Sequence, residues 1–232
     1  MVPAFNEERL LAGTLEGVKS AAQALAGDWE LIVCDNNSTD RTAEIARAAG
    51  ARVVFEPHNQ ISRARNSGAA AAAGEWLVFV DADSVPSAEL FGDLKAAIDA
   101  GDCLAGGSTI APEGSFAFRT SIRGWNLFSR LTRWAAGAFI FCRREEFAGI
   151  GGFSEELYAS EELDLFRRLK RLARSRSMSI RILHRHPLRT SDRKLHLYGR
   201  VELLRIIGRF VLHPRRSLRT PADCQPWYDG RR

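Results

Sequence analysis

Five consecutive apolar residues, Trp76-Leu77-Val78-Phe79-Val80, run directly into Asp81-Ala82-Asp83. Bulky side chains on both sides of so short a run predict a strand buried on both faces, the kind found inside a parallel sheet. Carboxylates are costly to bury unless they are paired, hydrogen-bonded or bound to a metal. A fold that accepts this stretch must therefore open where the strand stops.

The rest of the N-terminal third repeats the pattern. Residues 2–5 form a short apolar stub, and residues 7–26 an Ala/Leu-rich helix with Asn6 placed to cap it. A strand over 29–34, a helix over 40–49, a strand over 52–55 and a helix over 61–73, ended by Gly74, lead into the Trp76 strand. This βαβαβαβ order predicts an α/β fold: a mostly parallel mixed sheet flanked by helices, with right-handed crossovers. Ligands of such sheets bind beyond the carboxyl ends of the strands. The polar clusters fall there: PAFNEE from Pro3, DNNSTD from Asp35, and Asp81-Ala82-Asp83.

Beyond residue 88 the pattern changes. A helix over 87–100 precedes a strand near 103–110, and FAFRTSIRGWNLFSRLTRW reads as either a short amphipathic helix or a mobile loop. A strand over 137–142, a helical turn over 143–147, a Gly-rich loop to Phe153, a helix over 161–174 capped by Ser160, and a last strand over 180–183 follow. Residues 198–212 read as a basic amphipathic helix. No repeat or low-complexity linker divides the chain. It is expected to form one domain over 1–190, with halves 1–83 and 84–190, and a basic tail over 191–232 packed on it.

At 232 residues, 45% apolar and 26% charged, the chain has the composition of a soluble globular protein. No apolar stretch approaches the roughly 18–20 residues that cross a bilayer, and the N-terminus lacks a basic-then-apolar leader pattern, so a cytoplasmic location is expected. Cys34, Cys103, Cys142 and Cys224 form no CxxC pair; Cys34 and Cys142 sit in apolar runs as small core residues. The net charge of +5 is concentrated between Arg167 and Arg216. That basic half is either a solvated surface or a site for an acidic partner, and without zinc-finger spacing or an aromatic RNA-binding signature nucleic acid is not expected.

Alternation along an extended chain turns Asp81 and Asp83 to the same side. Two such carboxylates suit Mg²⁺ or Mn²⁺ shared with a diphosphate; the alternative is a helix cap and an acceptor of loop amides. PAFNEE, DNNSTDRT, ISRARNSGAAAAAGEWLVFVDADS, GAFIFCRREEFAGIGGF and SEELDLFRRLKR, in that order from Pro3 to about Arg171, together resemble an inverting family 2 glycosyltransferase of GT-A fold. The family normally carries a full apolar strand before PAFNEE; here Met1 and Val2 alone precede Pro3, so either the first strand is shortened or the sequence begins inside the natural chain.

The resemblance implies roles at matching positions. Pro3, Phe5 and Glu7 would line the nucleoside pocket, and Asp35 would accept from the base, uracil being favoured. The usual pattern there is DDGSTD; Asn36 and Asn37 replace its second Asp and its Gly. Arg65, with Arg63 and Asn66, would shape the donor pocket, Asp83 would bind Mg²⁺ or Mn²⁺, and Asp81 and Ala82 would face the ribose or sugar. Glu161-Glu162 matches the family's ED pair, with Glu162 at the position of the catalytic base. Glu162 shares a helix face with Leu165, Phe166 and Leu169, whereas Glu161 is expected on a different face. His186 is the candidate C-terminal metal ligand, and Arg193 with Lys194 could close over the diphosphate.

The implied activity is metal-dependent inverting transfer of a sugar from a nucleoside-diphosphate sugar, UDP favoured, to an acceptor hydroxyl. The acceptor could be lipid-linked, in cell-envelope, polysaccharide or glycolipid synthesis, with the 198–212 helix meeting the inner face of the membrane. Three other readings stay open: a non-catalytic nucleotide-sugar-binding protein; a nucleotidyltransferase, which would want a basic Gly-rich loop where PAFNEE is acidic; and a basic membrane-surface interaction protein, which would leave the three polar strand ends unexplained.

Overall fold

The computed structural model describes residues 1–112 and 116–191, together with residues 220 and 224. The short strands β1 (Val2–Ala4), β2 (Ile32–Asp35) and β3 (Arg52–Phe55) pair in parallel in the order β1-β2-β3. A second group, β4 (Trp76–Val80), β5 (Ser84–Val85), β6 (Cys103–Ile110), β7 (Phe139–Arg143) and β8 (Ser179–Thr190), runs in the order β4-β7-β6-β8-β5. The two groups meet at Met1, whose amino group donates to the Val78 carbonyl at 2.6 Å and whose carbonyl accepts from the Val80 N–H at 3.0 Å. That alternation is the pattern of a parallel pair.

Strand β4 is buried on both faces, as its composition predicts. Val80 joins a core built with Leu11, Leu15 and Val18 of α1 (Leu11–Ala22) and with Leu90, Phe91 and Leu94 of α4 (Ala88–Asp99). Leu77 and Phe79 join the opposite core, with Phe147 of α6 (Arg144–Gly149), Phe153, and Leu165, Phe166 and Leu169 of α7 (Glu161–Ser175). Strand β7 splits the same way, Phe139 and Phe141 to one side and Ile140 and Cys142 to the other. Helices α2 (Thr42–Ala48), α3 (Ile61–Ala70) and α5 (Phe116–Thr132) complete the described helices. The cysteines are free and buried, and burial pushes the Cys34 thiol up to about 12 and the Cys103 thiol to about 11. Such thiols are chemically quiet.

Several local expectations need correction. The sheet is mixed, as expected, but not mostly parallel: three of its paired neighbours are parallel, and β4/β7, β6/β7 and β5/β8 are antiparallel. Strand β8 is twelve residues long, because His184 to Thr190 find partners on β6 and β5 that no local signal announces. Helix α1 begins at Leu11, and Asn6 does not cap it. Asn6 is left-handed (φ 52°), and its Oδ1 accepts from the Thr39 N–H at 2.8 Å, a bond between loops that wins over the cap. Ser160 is also left-handed (φ 60°); its side chain makes no cap, and its carbonyl accepts from Leu163 and Asp164 instead. The segment left open between helix and loop is the helix α5. Arg193, Lys194 and the 198–212 helix lie outside the described residues.

Gly106, in the middle of β6, shows why this strand carries two glycines. A Cβ there would stand 2.0 Å from the Arg181 carbonyl and 2.4 Å from Phe141 Cζ. Gly106→Ala is expected to lower stability by about 1–3 kcal/mol through overpacking. Gly92→Ala, in α4 with open space around the added carbon, should raise it by roughly 0.5–1 kcal/mol. Urea titrations of the two variants measure both shifts.

Candidate active site

Three strand ends converge on one crevice, and the backbone sews them together. The Asn6 N–H donates to Ser38 Oγ at 3.0 Å, Glu7 N–H to Thr42 Oγ1 at 2.8 Å, and Glu8 N–H to Asp40 Oδ2 at 3.1 Å. Asp35, buried at the end of β2, accepts from the Ser38 N–H at 3.1 Å. Asn36 turns away from the crevice; its amide donates to the carbonyls of Glu56 and His58 and props the end of β3. Asn37 is left-handed at φ 66°. The family pattern has Gly here, and Asn is among the few other residues that enter this region at low cost. Pro3 is buried within β1, Glu7 is buried, and Phe5 is partly open.

The Asp81-Ala82-Asp83 segment does not continue the strand. The Ser84 N–H donates to the Asp81 carbonyl at 3.1 Å, so the segment is a turn, and strand alternation does not set the directions of its side chains. Thr14, buried in α1 between Leu11 and Leu15, donates through Oγ1 to the Ala82 carbonyl at 2.8 Å. Our sequence reading missed this residue, although a hydroxyl at a core position of an amphipathic helix is a legible signal. Ser191 N–H donates to the Asp83 carbonyl at 3.0 Å and ties the end of β8 to the same turn.

Arg65 lies at the centre. It is 1% exposed, yet its guanidinium donates to Glu161 Oε1 at 2.6 Å, to Asp81 Oδ1 at 2.9 Å and to the Gly137 carbonyl at 3.0 Å. It also stands 5.1 Å from the centre of the Phe153 ring. Burial alone would weaken its hold on the proton, but Asp81 and Glu161 outweigh that and hold it above its ordinary value. Gly137 is the approach point for this fork: a Cβ there would meet Arg65 Nη2 at 2.9 Å. Neither Gly137 nor Phe153 was singled out from the sequence as a partner of Arg65.

Two other polar residues of α3, Arg63 and Asn66, go elsewhere. Arg63 pairs with Glu155 at 3.0 Å and Gln60 at 3.1 Å, while Asn66 both donates to and accepts from the Phe153 backbone at 2.9 Å. They latch the loop before α7. Gly152, left-handed at φ 64°, leaves room for Asn66 Oδ1, which would lie 2.6 Å from a Cβ.

The start of α7 corrects the expected facing of its acids. Glu161 is the deeply buried one, committed to Arg65, and Glu162 keeps part of its surface open. Desolvation first, then the charge of Glu161, push the Glu162 carboxyl up to about 8, against the pull of Arg65. Asp81 adds a smaller push in the same direction, so the turn and the helix start share one electrostatic environment.

His186 does not join this group. Its Nδ1 lies 3.0 Å from Asp93 Oδ2 on α4, a pairing that its position at the exposed middle of β8 dictates. No cluster of three or more His, Cys, Asp or Glu side chains suited to a metal is assembled among the described residues. The oxygen donors of the Asp81-Ala82-Asp83 turn nonetheless fit Mg²⁺ or Mn²⁺, because such ions are commonly held by one or two carboxylates, with waters and substrate phosphates completing the shell.

The mixed α/β sheet with carboxylates at these strand ends is a fold of GT-A type, as the comparisons show. The model of glycosyl transferase family 2 matches residues 1–155, and the chain belongs to that family. An uncharacterized glycosyltransferase of Mycobacterium tuberculosis is 36% identical over 107 residues, 46% of each chain. The chain spans less than half the length of the curated relatives it matches. Among solved structures, a mannosyltransferase of Pyrobaculum calidifontis in complex with GDP-Man and Mn²⁺ superposes with a TM-score of 0.64 at 19% identity, covering 99% of this chain and 67% of that one. Glucosyl-3-phosphoglycerate synthase of M. tuberculosis, in complex with Mn²⁺, UDP and glucosyl-3-phosphoglycerate, gives a TM-score of 0.61 at 19% identity, covering 98% and 78%. These two likenesses establish the fold.

Removing Arg65 leaves two carboxylates facing each other in a largely dry site. Arg65→Met is expected to cost about 3–5 kcal/mol, read as a lower midpoint in chemical denaturation. A second expectation concerns pH. The Glu162 carboxyl is raised from 4.5 to about 8, so the folded chain holds an extra proton between those values and its contribution to stability falls as pH rises through that window. Melting temperatures across the window should decline less steeply in Glu162→Gln than in the parent.

Proposed function

We propose that the chain transfers a sugar from a nucleoside-diphosphate sugar, with UDP as the favoured nucleotide, to an acceptor hydroxyl with inversion at the anomeric carbon. The observation that carries this reading is the Arg65 fork, which ties the turn of Asp81 and Asp83 to the start of α7 and so joins a diphosphate site to Glu162. Asp35 and the loop from Phe5 to Glu7 hold the nucleoside, and Asp81 faces the ribose or the sugar. Asp83, with Asp81 beside it in the turn, would hold Mg²⁺ or Mn²⁺, which when bound offsets the charge that grows on the leaving diphosphate.

Glu162 acts as general base. Its carboxylate takes the proton of the acceptor hydroxyl as the acceptor oxygen bonds to the anomeric carbon and the bond to the diphosphate breaks. A base with a raised pKa accepts a proton more readily but is ionised in a smaller fraction of molecules at neutral pH. Arg65 is a positioning residue: it fixes Glu161 and, through it, the first turn of α7. The acidic PAFNEE loop and the absence of a basic Gly-rich loop after β1 weigh against nucleotidyl transfer. Pure binding would leave a half-buried, raised carboxyl at the crevice without a task.

Glu162→Gln keeps shape and hydrogen bonding but cannot take the proton. Transfer should fall by about two to four orders of magnitude, while the thermal stabilisation by UDP with Mn²⁺ persists. Asp83→Ala should abolish the metal-dependent part of that stabilisation. Full turnover in Glu162→Gln would overturn the assignment of the base, and equal stabilisation with and without Mn²⁺ in the parent would overturn the metal site. Glu161→Gln withdraws a charge from Arg65 and should lower stability as well as rate.

A further inference from the structure

Helix α5 carries an exposed apolar stripe. Leu127 and Leu131 are 59% and 76% exposed, and Phe128 beside them is 41% exposed. The spacing of 127, 128 and 131 places the three on one side of the helix. The opposite side is packed: Ser129 is buried, Trp125 is partly buried, and Asn126 donates to and accepts from the backbone of Ile110 at 2.8 and 3.0 Å. The stripe is thus held outward by a helix whose inner side is tied to β6, and it is not the buried face of an amphipathic element.

The helix itself supplies basic side chains around the stripe. From Gly114 to Arg133 the sequence contains no acidic residue, while Arg119, Arg123, Arg130 and Arg133 fall within it. Arg123, Arg130 and Arg133 are exposed beside the leucines. Between α5 and β8 a groove of about 360 Å³ continues the same chemistry, with Leu127, Leu131, Ile180 and Ile182 as apolar lining and Arg130, Arg133 and His184 as polar lining. Exposed leucines and a phenylalanine flanked, among the described residues of this groove, by arginines and a histidine have the composition of a surface that enters the boundary between lipid headgroups and acyl chains. A soluble protein partner would ordinarily be matched with charges of both signs. No described helix is long and apolar enough to cross a membrane.

We propose that α5 and the adjoining edge of β8 form a docking surface for an anionic lipid bilayer, with Leu127, Phe128 and Leu131 entering the headgroup boundary and the arginines meeting lipid phosphates. The chain from α5 runs through Trp134, where Lys170 stands 4.6 Å from the ring centre, to Gly137, whose carbonyl Arg65 holds.

The test is co-sedimentation of the full chain with vesicles of phosphatidylcholine alone and with about 30 mol% phosphatidylglycerol. Binding is expected to the anionic vesicles only and to weaken between about 0.1 and about 0.5 M salt. The double variant Leu127→Glu/Leu131→Glu alters exposed side chains, so the fold should survive; circular dichroism and the UDP–Mn²⁺ melting shift confirm that it does. Its binding should be weaker by about tenfold or more. Binding by the double variant equal to that of the parent would overturn the proposal, because the lipid contact would then lie elsewhere on the chain. So would equal binding to neutral vesicles at both salt concentrations, or a failure to bind vesicles joined to a concentration-dependent dimer that the double variant abolishes. Vesicle binding is read without donor or acceptor, so its failure is distinct from failure of the transferase reading.

Discussion

A single buried guanidinium holds the crevice together. Arg65 comes from α3, Asp81 from the end of β4, Gly137 from the approach to β7 and Glu161 from α7, and of these only α3 and β4 follow one another in the chain. Taking that charge out of water is affordable only because both carboxylates and a carbonyl meet it. The geometry of the site therefore depends on an interaction that is costly to break and gives little net stability relative to an apolar substitute. Such a device favours one arrangement over others, which is what a site assembled from distant segments requires.

The same charge divides the work of two adjacent glutamates. Glu161 is neutralised by Arg65 and becomes part of the frame. Glu162, one residue on, has no such partner, and desolvation first, then the charge of Glu161, raises its carboxyl to about 8 against the pull of Arg65. Two adjacent residues of identical chemistry thus meet different environments, one inside the ion pair and the other beside it.

Around this centre the fold spends its polar groups on joining loops. Asn6, Ser38, Thr42 and Asp40 cross-link the ends of β1 and β2, Asn36 supports β3, and Asn66 with Gly152 fixes the loop before α7. Thr14 pins the turn of Asp81 and Asp83 from below. The departures from the family pattern are accommodated locally: Asn37 takes the left-handed conformation expected of a glycine, and Asn36 faces away from the crevice.

The sequence by itself determined the alternation of strands and helices through residue 88, the burial of β4 on both faces and the polar character of the three strand ends. Those features are carried by local periodicity and by runs of side chains that can be satisfied in only one kind of environment. Tertiary structure alone decided which partners the polar residues take. Asn6 bonds across to Thr39 instead of capping α1, His186 pairs with Asp93, Glu161 is drawn inward ahead of Glu162, and the second half of β8 becomes strand because β5 and β6 complete it. Each outcome is a competition between a local bond and one from a segment distant in the chain. A residue's own neighbours in sequence carry no record of that second competitor.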